Sequence, residues 1–384
     1  MKEKSKKIQK GLYIFILVIL FIPLTQHITH FLNEKSLGGY ITKVDCPNLS
    51  MEKWLSNEFQ DNFSNYTNSN FGFRNSFVRL SNQISYSLFS KLRANSVVIG
   101  KKEYLYEENY IKEYLGQNFI GEKKIQDKVW KLKKIQDTLA SKGIFLFNVI
   151  APGKGSYYPE YIPEKYHPDK KSETNYQAYI KEFKSEKINY VDFNQWFKNM
   201  KDTTSNILYP KCGIHWSYYG EFLAADSIIH YIEKKQHVNL THLKVTEIEK
   251  SSPKHRDSDI AKGLNLMFEL DNQKLTYPKF TFTQDNVTQK YKLLAVADSF
   301  FWGMFNWGFS NRIFDNSQFW YYNNSIYPDS FEKPISVKDV DIIQEVEKNK
   351  FIMLMSTDGN LYKYAFGFID MLYDAYYPSS ENKK

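Results

Sequence analysis

The sequence of 384 residues predicts an α/β fold with a parallel sheet, behind one N-terminal transmembrane helix. Three observations support this prediction. From about residue 96, short apolar runs alternate with helical patterns, which is the order of strands and helices in a parallel sheet. Residues 11–28 are apolar enough to cross a membrane. The composition, 42% hydrophobic and 24% charged, is that of an ordinary folded protein.

The first segment predicts a membrane anchor. Residues 1–10 hold five lysines, which we expect to stay in the cytoplasm. Residues 11–28 would span about 27 Å as a helix, enough for the hydrocarbon core. No small-residue cleavage site follows, so we predict an uncleaved anchor in the inner membrane with the main domain in the periplasm. Cleavage would instead release the same body as a soluble periplasmic or secreted protein.

Charge and cysteine content exclude several classes of protein. The net charge of +8 comes largely from the first ten residues, so the remaining chain is only mildly basic and no basic stripe favours nucleic acid. Cys46 and Cys212 are too few for a disulfide framework and match no zinc spacing. We predict no metal and no other cofactor. A single disulfide between the two cysteines stays open if the chain is exported.

The remaining elements follow in order. Residues 31–95 are polar and Asn-rich, and we interpret them as a connecting region with a helix near 76–91. The main domain is predicted at 96–384, with an insertion at 236–290 where patterns are weakest. Its predicted strands are 97–101, 103–106, 144–151, 188–193, 279–283, 292–297 and 351–355, and its predicted helices are 124–141, 173–186 and 217–234.

Two segments carry residues suited to acyl transfer. Ser299 follows the apolar run 292–297, and sites in open α/β sheets lie at the carboxyl ends of the strands. His215 directly precedes another predicted helix, on what should be the same edge. Ser299 is either a helix cap or a nucleophile, and His215 either a partly buried structural residue or its general base. The Ser299 N–H at a helix N-terminus could be one oxyanion donor.

Four segments in this order resemble the SGNH-hydrolase-like proteins of exopolysaccharide O-acetylation, of the alginate O-acetyltransferase type. They are Val98-Ile99-Gly100-Lys101 with Tyr104-Leu105-Tyr106, Ala151-Pro152-Gly153-Lys154 with Tyr158-Pro159-Glu160-Tyr161-Ile162-Pro163, Gly213-Ile214-His215-Trp216-Ser217 with Gly220, and Ala297-Asp298-Ser299-Phe300. The resemblance spans roughly residues 70–330. It implies a flavodoxin-like α/β/α sandwich in which the serine follows the histidine in the chain.

The resemblance also implies a function. Ser299 would be the acetyl-accepting nucleophile and His215 its base. Such proteins are periplasmic, work with a membrane-bound O-acyltransferase as acetyl donor, and transfer acetyl groups to polysaccharide hydroxyls. The alternatives are a non-catalytic polysaccharide-binding or assembly subunit on the same fold, and a carbohydrate acetyl esterase.

One position departs from the family pattern, since Gly213 stands where the triad aspartate is expected. Asp257 or Asp259 could supply the carboxylate from the insertion, whereas the Asp298 side chain should point elsewhere. A Ser-His dyad with a backbone carbonyl as orienter is another alternative. A chain that has lost catalysis and only binds polysaccharide is the last.

Candidate substrate-binding residues follow from position. Lys154, after a strand-ending Pro-Gly pair, is either a solvated loop lysine or a contact for an anionic sugar or the oxyanion. Trp216, Trp302 and Tyr321 are either sugar-stacking or core residues. Cys212 is expected to serve in packing.

Overall fold

The computed structural model describes residues 2–39, 42–167, 172–270, 273–284 and 287–378. The chain divides into two compact units. The first contains Met1–Asn95 and Ala261–Leu270, and the second contains Ser96–Ile260 and Asp271–Lys384.

The α-helices of the described residues are α1 (Lys2–Thr29), α2 (Met51–Leu55), α3 (Glu58–Asn70), α4 (Arg74–Phe89), α5 (Glu108–Tyr114), α6 (Glu122–Ser141), α7 (Lys154–Tyr157), α8 (Asn175–Ser185), α9 (Phe193–Met200), α10 (Tyr218–Gln236), α11 (Asp259–Gly263), α12 (Phe301–Asn306), α13 (Ile342–Glu347) and α14 (Phe368–Tyr376). The strands are β1 (Val97–Ile99), β2 (Leu105–Glu107), β3 (Phe145–Ala151), β4 (Tyr190–Asp192), β5 (His242–Ser251), β6 (Leu275–Thr283), β7 (Leu293–Ala297), β8 (Phe319–Tyr321), β9 (Ser325–Tyr327) and β10 (Phe351–Thr357).

The first unit contains the predicted anchor. Within α1, the 24-residue stretch Lys6–Thr29 contains an 18-residue window with a mean hydropathy of 2.0, and almost none of that window is buried. At 1.5 Å per residue such a helix is about 36 Å long, sufficient to cross a bilayer. Insertion of this helix into the inner membrane stays a prediction.

The rest of the first unit is more helical than the sequence indicated. The region 31–95 was expected to hold one helix, but it contains α2, α3 and α4. None of their residues is buried, so the apolar periodicity that reveals a core-facing helix is weak. Part of the expected insertion also belongs to this unit, since Asn82 donates to the Leu264 carbonyl at 2.9 Å.

The second unit is organised around one six-stranded sheet. Its order is β4-β3-β10-β7-β8-β9, in which every neighbouring pair is parallel except β8 and β9. Every residue of β3, β7 and β10 is buried, which accounts for their continuous apolar sequences. The predicted α/β fold with a central parallel sheet is confirmed.

Helices cover both faces of this sheet. One apolar core contains residues of α9, α10 and α12, and the other contains residues of α6, α8 and α14. The unit is therefore an α/β/α sandwich, and the polar ends of β7 and β10 lie side by side at its carboxyl edge.

Two strand pairs differ from expectation. The three-residue strand β8 was missed within the aromatic segment 300–322, because so short a strand shows no alternation. In the expected insertion, only 279–283 was predicted as a strand, whereas β5 and β6 pair antiparallel over most of their length. Most side chains of β5 are exposed, so no apolar pattern marks it.

Candidate active site

Ser299 lies in a turn fixed by its neighbour Asp298. The fully buried Asp298 carboxylate accepts from the Phe300 N–H at 3.1 Å and, through its other oxygen, from the Thr357 N–H at 2.8 Å. The Asn360 amide donates to the same oxygen at 2.9 Å. Asp298 therefore ties the end of β7 to the end of β10, and its carboxylate has no contact that would orient His215.

His215 is held against this turn by the start of α10. Ser217 caps that helix, because its hydroxyl accepts from the Gly220 N–H at 3.1 Å and donates to the Ile207 carbonyl at 2.6 Å. The imidazole of His215 packs on the Phe300 ring at 4.8 Å between centroids. Its Nε2 lies 3.0 Å from Ser299 Oγ, within hydrogen-bond distance.

A carboxylate from the expected insertion reaches the other imidazole nitrogen. Asp259 Oδ2 lies 2.7 Å from His215 Nδ1, and Asp259 Oδ1 accepts from the Ile214 N–H at 2.8 Å. Burial raises the pKa of Asp259, but the hydrogen bonds from His215 and Ile214 outweigh it and lower the pKa below its usual value. Asp259 is therefore ionised at neutral pH, and we assign the Nδ1 proton of His215 to this bond.

Asp257, the other carboxylate considered, does not contact the imidazole. Its Oδ2 accepts from the Tyr277 hydroxyl at 2.7 Å and its Oδ1 from the Tyr218 N–H at 3.2 Å. The alternative in which Asp257 orients His215 is thus wrong. Its contacts instead fix the segment that carries Asp259.

The backbone at Gly213 leaves no space for a side chain. A Cβ there would lie 2.7 Å from the Asp257 carbonyl oxygen and 2.7 Å from Pro210 Cγ. The position expected to hold an aspartate is therefore closed by the chain that delivers Asp259.

The position of Lys154 agrees neither with a solvated loop lysine nor with a contact for an anionic sugar or the oxyanion. Its side chain is only 1% exposed, and its ammonium donates to the carbonyls of Lys211 at 2.6 Å and Gly213 at 2.8 Å. A buried ammonium needs such acceptors. Lys154 thus supports the segment between α9 and α10 that leads to His215, and its ammonium is buried rather than solvated.

Arg256 is the principal site residue that the sequence did not reveal. Its Nη2 lies 2.6 Å from His215 Nε2, and its Nη1 donates to the Ser299 carbonyl at 2.8 Å. Burial lowers the pKa of His215, and the Arg256 charge adds to this effect while Asp259 opposes it. The imidazole is therefore neutral at pH 7, with its lone pair on Nε2.

Tyr322 is a second residue at the nucleophile. Burial raises the pKa of Tyr322, and the nearby side chains of Ser299 and Asn360 partly offset that rise. Its N–H donates to the Ala297 carbonyl at 2.9 Å, and its φ of +50° is in the left-handed region. The sequence did not single out Tyr322, because it lies in a run of aromatic residues that does not show which ring faces the site.

The three aromatic candidates for substrate binding differ in position. Trp216 is 2% exposed and packs on Phe193, Phe197 and Phe300, so it is a core residue. Trp302 and Tyr321 are half-buried and lie edge to face at 5.4 Å. Their role in sugar binding stays a prediction.

A cavity of about 380 Å³ opens beside His215 and Arg256. It is also lined by Glu221, Asn306 and Trp307. The Trp307 indole N–H donates to Glu221 Oε1 at 2.6 Å, and burial raises the pKa of Glu221 to about 8. The volume of this cavity lies within the range of small-molecule pockets, roughly 300–1,000 Å³, and is enough for one sugar ring.

Cys46 is exposed and Cys212 is buried. The burial of Cys212 agrees with a packing role. That the site requires no cofactor stays a prediction.

Comparison with known proteins gives three findings. The family model described as the SGNH hydrolase-like domain of acetyltransferase AlgX matches residues 97–300, more than half of the chain. No curated protein matches significantly.

Several solved structures are similar in arrangement. The O-acetyltransferase domain of Pseudomonas putida AlgJ has a TM-score of 0.48 at 14% identity, covering 73% of this chain and 99% of that one. Pseudomonas aeruginosa AlgX has a TM-score of 0.44 at 15% identity, covering 74% and 71%. Bacillus cereus PatB1 has a TM-score of 0.43 at 12% identity, covering 71% and 99%.

Proposed function

Because the chain belongs to the SGNH hydrolase-like acetyltransferase family of AlgX, we propose that it moves acetyl groups to hydroxyls of a cell-surface or exported polysaccharide. The reaction proceeds through an acetyl ester on Ser299. The observation that carries this proposal is the chain of contacts from Asp259 through His215 to Ser299, at 2.7 and 3.0 Å. A nucleophile, a base and a carboxylate in this order constitute the machinery of acyl transfer.

The first half-reaction acetylates the enzyme. His215 Nε2 takes the proton of Ser299 Oγ as that oxygen attacks the acetyl carbonyl of the donor. Asp259 stabilises the imidazolium that forms and keeps Nδ1 protonated. Collapse of the tetrahedral intermediate breaks the donor ester bond, and His215 returns its proton to the leaving oxygen.

The second half-reaction delivers the acetyl group. A polysaccharide hydroxyl loses its proton to His215 and attacks the acetyl-Ser299 carbonyl. The ester bond to Ser299 breaks, and His215 reprotonates the released Oγ. The Tyr322 hydroxyl, whose pKa is influenced by the nearby Ser299 side chain, is the donor we assign to the oxyanion of both intermediates.

Arg256 competes with Ser299 for His215 Nε2 before substrate binds. The Nε2 lone pair of neutral imidazole accepts one hydrogen bond at a time, and both Arg256 and Ser299 are within reach of it. Proton transfer from Ser299 therefore requires the guanidinium to leave that lone pair. The adjoining cavity is where we place the acceptor sugar, with Arg256 and Glu221 at its wall.

We place the reaction outside the inner membrane. Helix α1 would anchor the chain, with residues 1–10 in the cytoplasm and the second unit in the periplasm. A membrane-bound O-acyltransferase is the partner proposed to supply acetyl groups there.

The alternative of a non-catalytic binding subunit was motivated by Gly213 alone, and the Asp259 carboxylate removes that motivation. An acetyl esterase would use the same residues, and product analysis with and without acceptor sugar distinguishes it.

The test is acetylation of Ser299. Purified full-length chain in detergent is mixed with p-nitrophenyl acetate, and the adduct is located by mass spectrometry. We expect acetyl on Ser299 in the wild type, and loss of polysaccharide acetylation in cells that carry Ser299→Ala. No adduct together with normal acetylation in the variant would refute the proposal.

A further inference from the structure

A second group of chemically competent side chains lies outside the acyl-transfer site. His230, Glu233 and His242 form a histidine–glutamate cluster whose ligand atoms all lie within 4.8 Å of one another. We propose that this cluster binds one divalent transition-metal ion, with Zn²⁺ as the ion that best suits its ligands. The proposal goes beyond acetyl transfer and does not depend on it.

The cluster joins a helix to a strand. His230 and Glu233 are three residues apart on α10, so they share one face of the helix. His242 is the first residue of β5, and its Nε2 lies 2.9 Å from Glu233 Oε1. The two imidazole rings meet edge to face at 5.0 Å between centroids.

Hydrogen bonds behind the cluster orient its members as ligands. His230 Nδ1 lies 2.8 Å from the Asp226 carbonyl oxygen, which can only accept. The Nδ1 atom therefore carries the proton, and Nε2 keeps a lone pair. Metal-binding histidines are typically held in this way. Glu233 Oε1 also accepts from the Leu240 N–H at 2.8 Å, so the carboxylate has a fixed position.

The ligand set selects the kind of ion. Two imidazoles and a carboxylate suit Zn²⁺, and three protein ligands leave one tetrahedral position for water. With metal–ligand bonds of about 2.0–2.1 Å, ligand atoms lie about 3.3 Å apart, so the cluster has to contract. His230 is 56% and His242 36% exposed along their side chains, so their rotamers can adjust. Asp226, with Oδ2 3.5 Å from His230 Nδ1, adds negative charge.

The position of the cluster gives the ion a structural role. Helix α10 begins three residues after His215, and β5 leads to the segment that carries Arg256 and Asp259. An ion held by both elements would link the two parts of the chain that supply the imidazole and its carboxylate.

The test is a Zn²⁺ titration of the full-length chain in detergent, in competition with a chromophoric chelator. We expect one Zn²⁺ per chain and a higher thermal unfolding temperature in its presence. His230→Gln and His242→Gln should each lower the affinity by at least about tenfold, because each removes a ligand. The matched control is His237→Asn, which removes an exposed imidazole at a left-handed position that asparagine tolerates.

Binding should also weaken as the solution is acidified, because side chains bind the metal only in their deprotonated form. Absence of saturable binding, or binding that both glutamine variants retain in full, would overturn the proposal. The cluster would then be a hydrogen bond between His242 and Glu233 and nothing more.

Discussion

Asp259 Oδ2 lies 2.7 Å from His215 Nδ1, although the two residues are 44 positions apart in the chain. The carboxylate lies at the start of α11, after the strand β5, which pairs with β6 outside the central sheet. Gly213, two residues before His215, has no space for even a Cβ. The imidazole is thus oriented by a residue from the insertion, and the segment before His215 is shaped to admit it.

Arg256 should set the pH range in which His215 acts as a base. Its charge contributes to the lowered pKa of His215, so Arg256→Gln should raise that pKa. Because only the neutral imidazole accepts a proton, the acid limb of kcat/KM for acetyl-ester hydrolysis should move to higher pH. Arg256→Lys keeps the charge and serves as the control. An acid limb that does not move in Arg256→Gln, or moves to lower pH, would contradict this role.

Glu221 should make stability fall as the pH rises. Its pKa is about 8 in the folded chain against 4.5 as its ordinary value, so between these values the folded state holds more protons than the unfolded state. Stability is then lost progressively from about pH 4.5 to 8. Glu221→Gln removes this loss, since its amide oxygen can still accept from Trp307.

The measurement is urea unfolding at pH 5 and pH 8. At pH 8 we expect the free energy of unfolding of Glu221→Gln to exceed that of the wild type by a few kcal/mol, since each pKa unit corresponds to about 1.4 kcal/mol. The exposed Glu332→Gln should show no such gain. Equal pH dependence in wild type and Glu221→Gln would show that Glu221 is ionised in the fold.

Gly213→Ala should damage both stability and activity. The added methyl would meet the Asp257 carbonyl and Pro210, and backbone has to shift to admit it. Overpacking of this kind costs about 1–3 kcal/mol. The shift also displaces His215 from Ser299. Thermal unfolding and ester hydrolysis should both decline, whereas Gly263→Ala, with nothing within 4 Å of its Cβ, should leave both unchanged. A Gly213→Ala chain with wild-type activity would show that the position has room.

The sequence predicts the elements that are buried on both faces. Strands β3, β7 and β10 lie in the middle of the sheet, so they appear as continuous apolar runs. Their alternation with helices indicates a parallel sheet. The end of β7 then marks Ser299, and the start of α10 marks His215.

The rest of the site depends on contacts that are distant in sequence. Asp257 and Asp259 are two residues apart in a segment without periodicity, and only the folded chain decides which one meets the imidazole. Arg256 and Tyr322 reach the site from the insertion and from the end of β8. No local pattern distinguishes them from surface residues. Lys154 was misjudged for the opposite reason: its charge and its position after a strand indicated exposure, but its side chain is buried.

The role of Asp259 is tested most directly by the rate at which Ser299 becomes acetylated. Time-resolved mass spectrometry with p-nitrophenyl acetate measures this step before any acceptor is needed. We expect Asp259→Asn to slow acetylation by about 10³–10⁴-fold, because the imidazole loses its orienting carboxylate. Asp257→Asn, whose carboxylate contacts Tyr277 and Tyr218, should keep most of the rate. Acetylation of Asp259→Asn at the wild-type rate would contradict the assignment of Asp259 as the third member of the site.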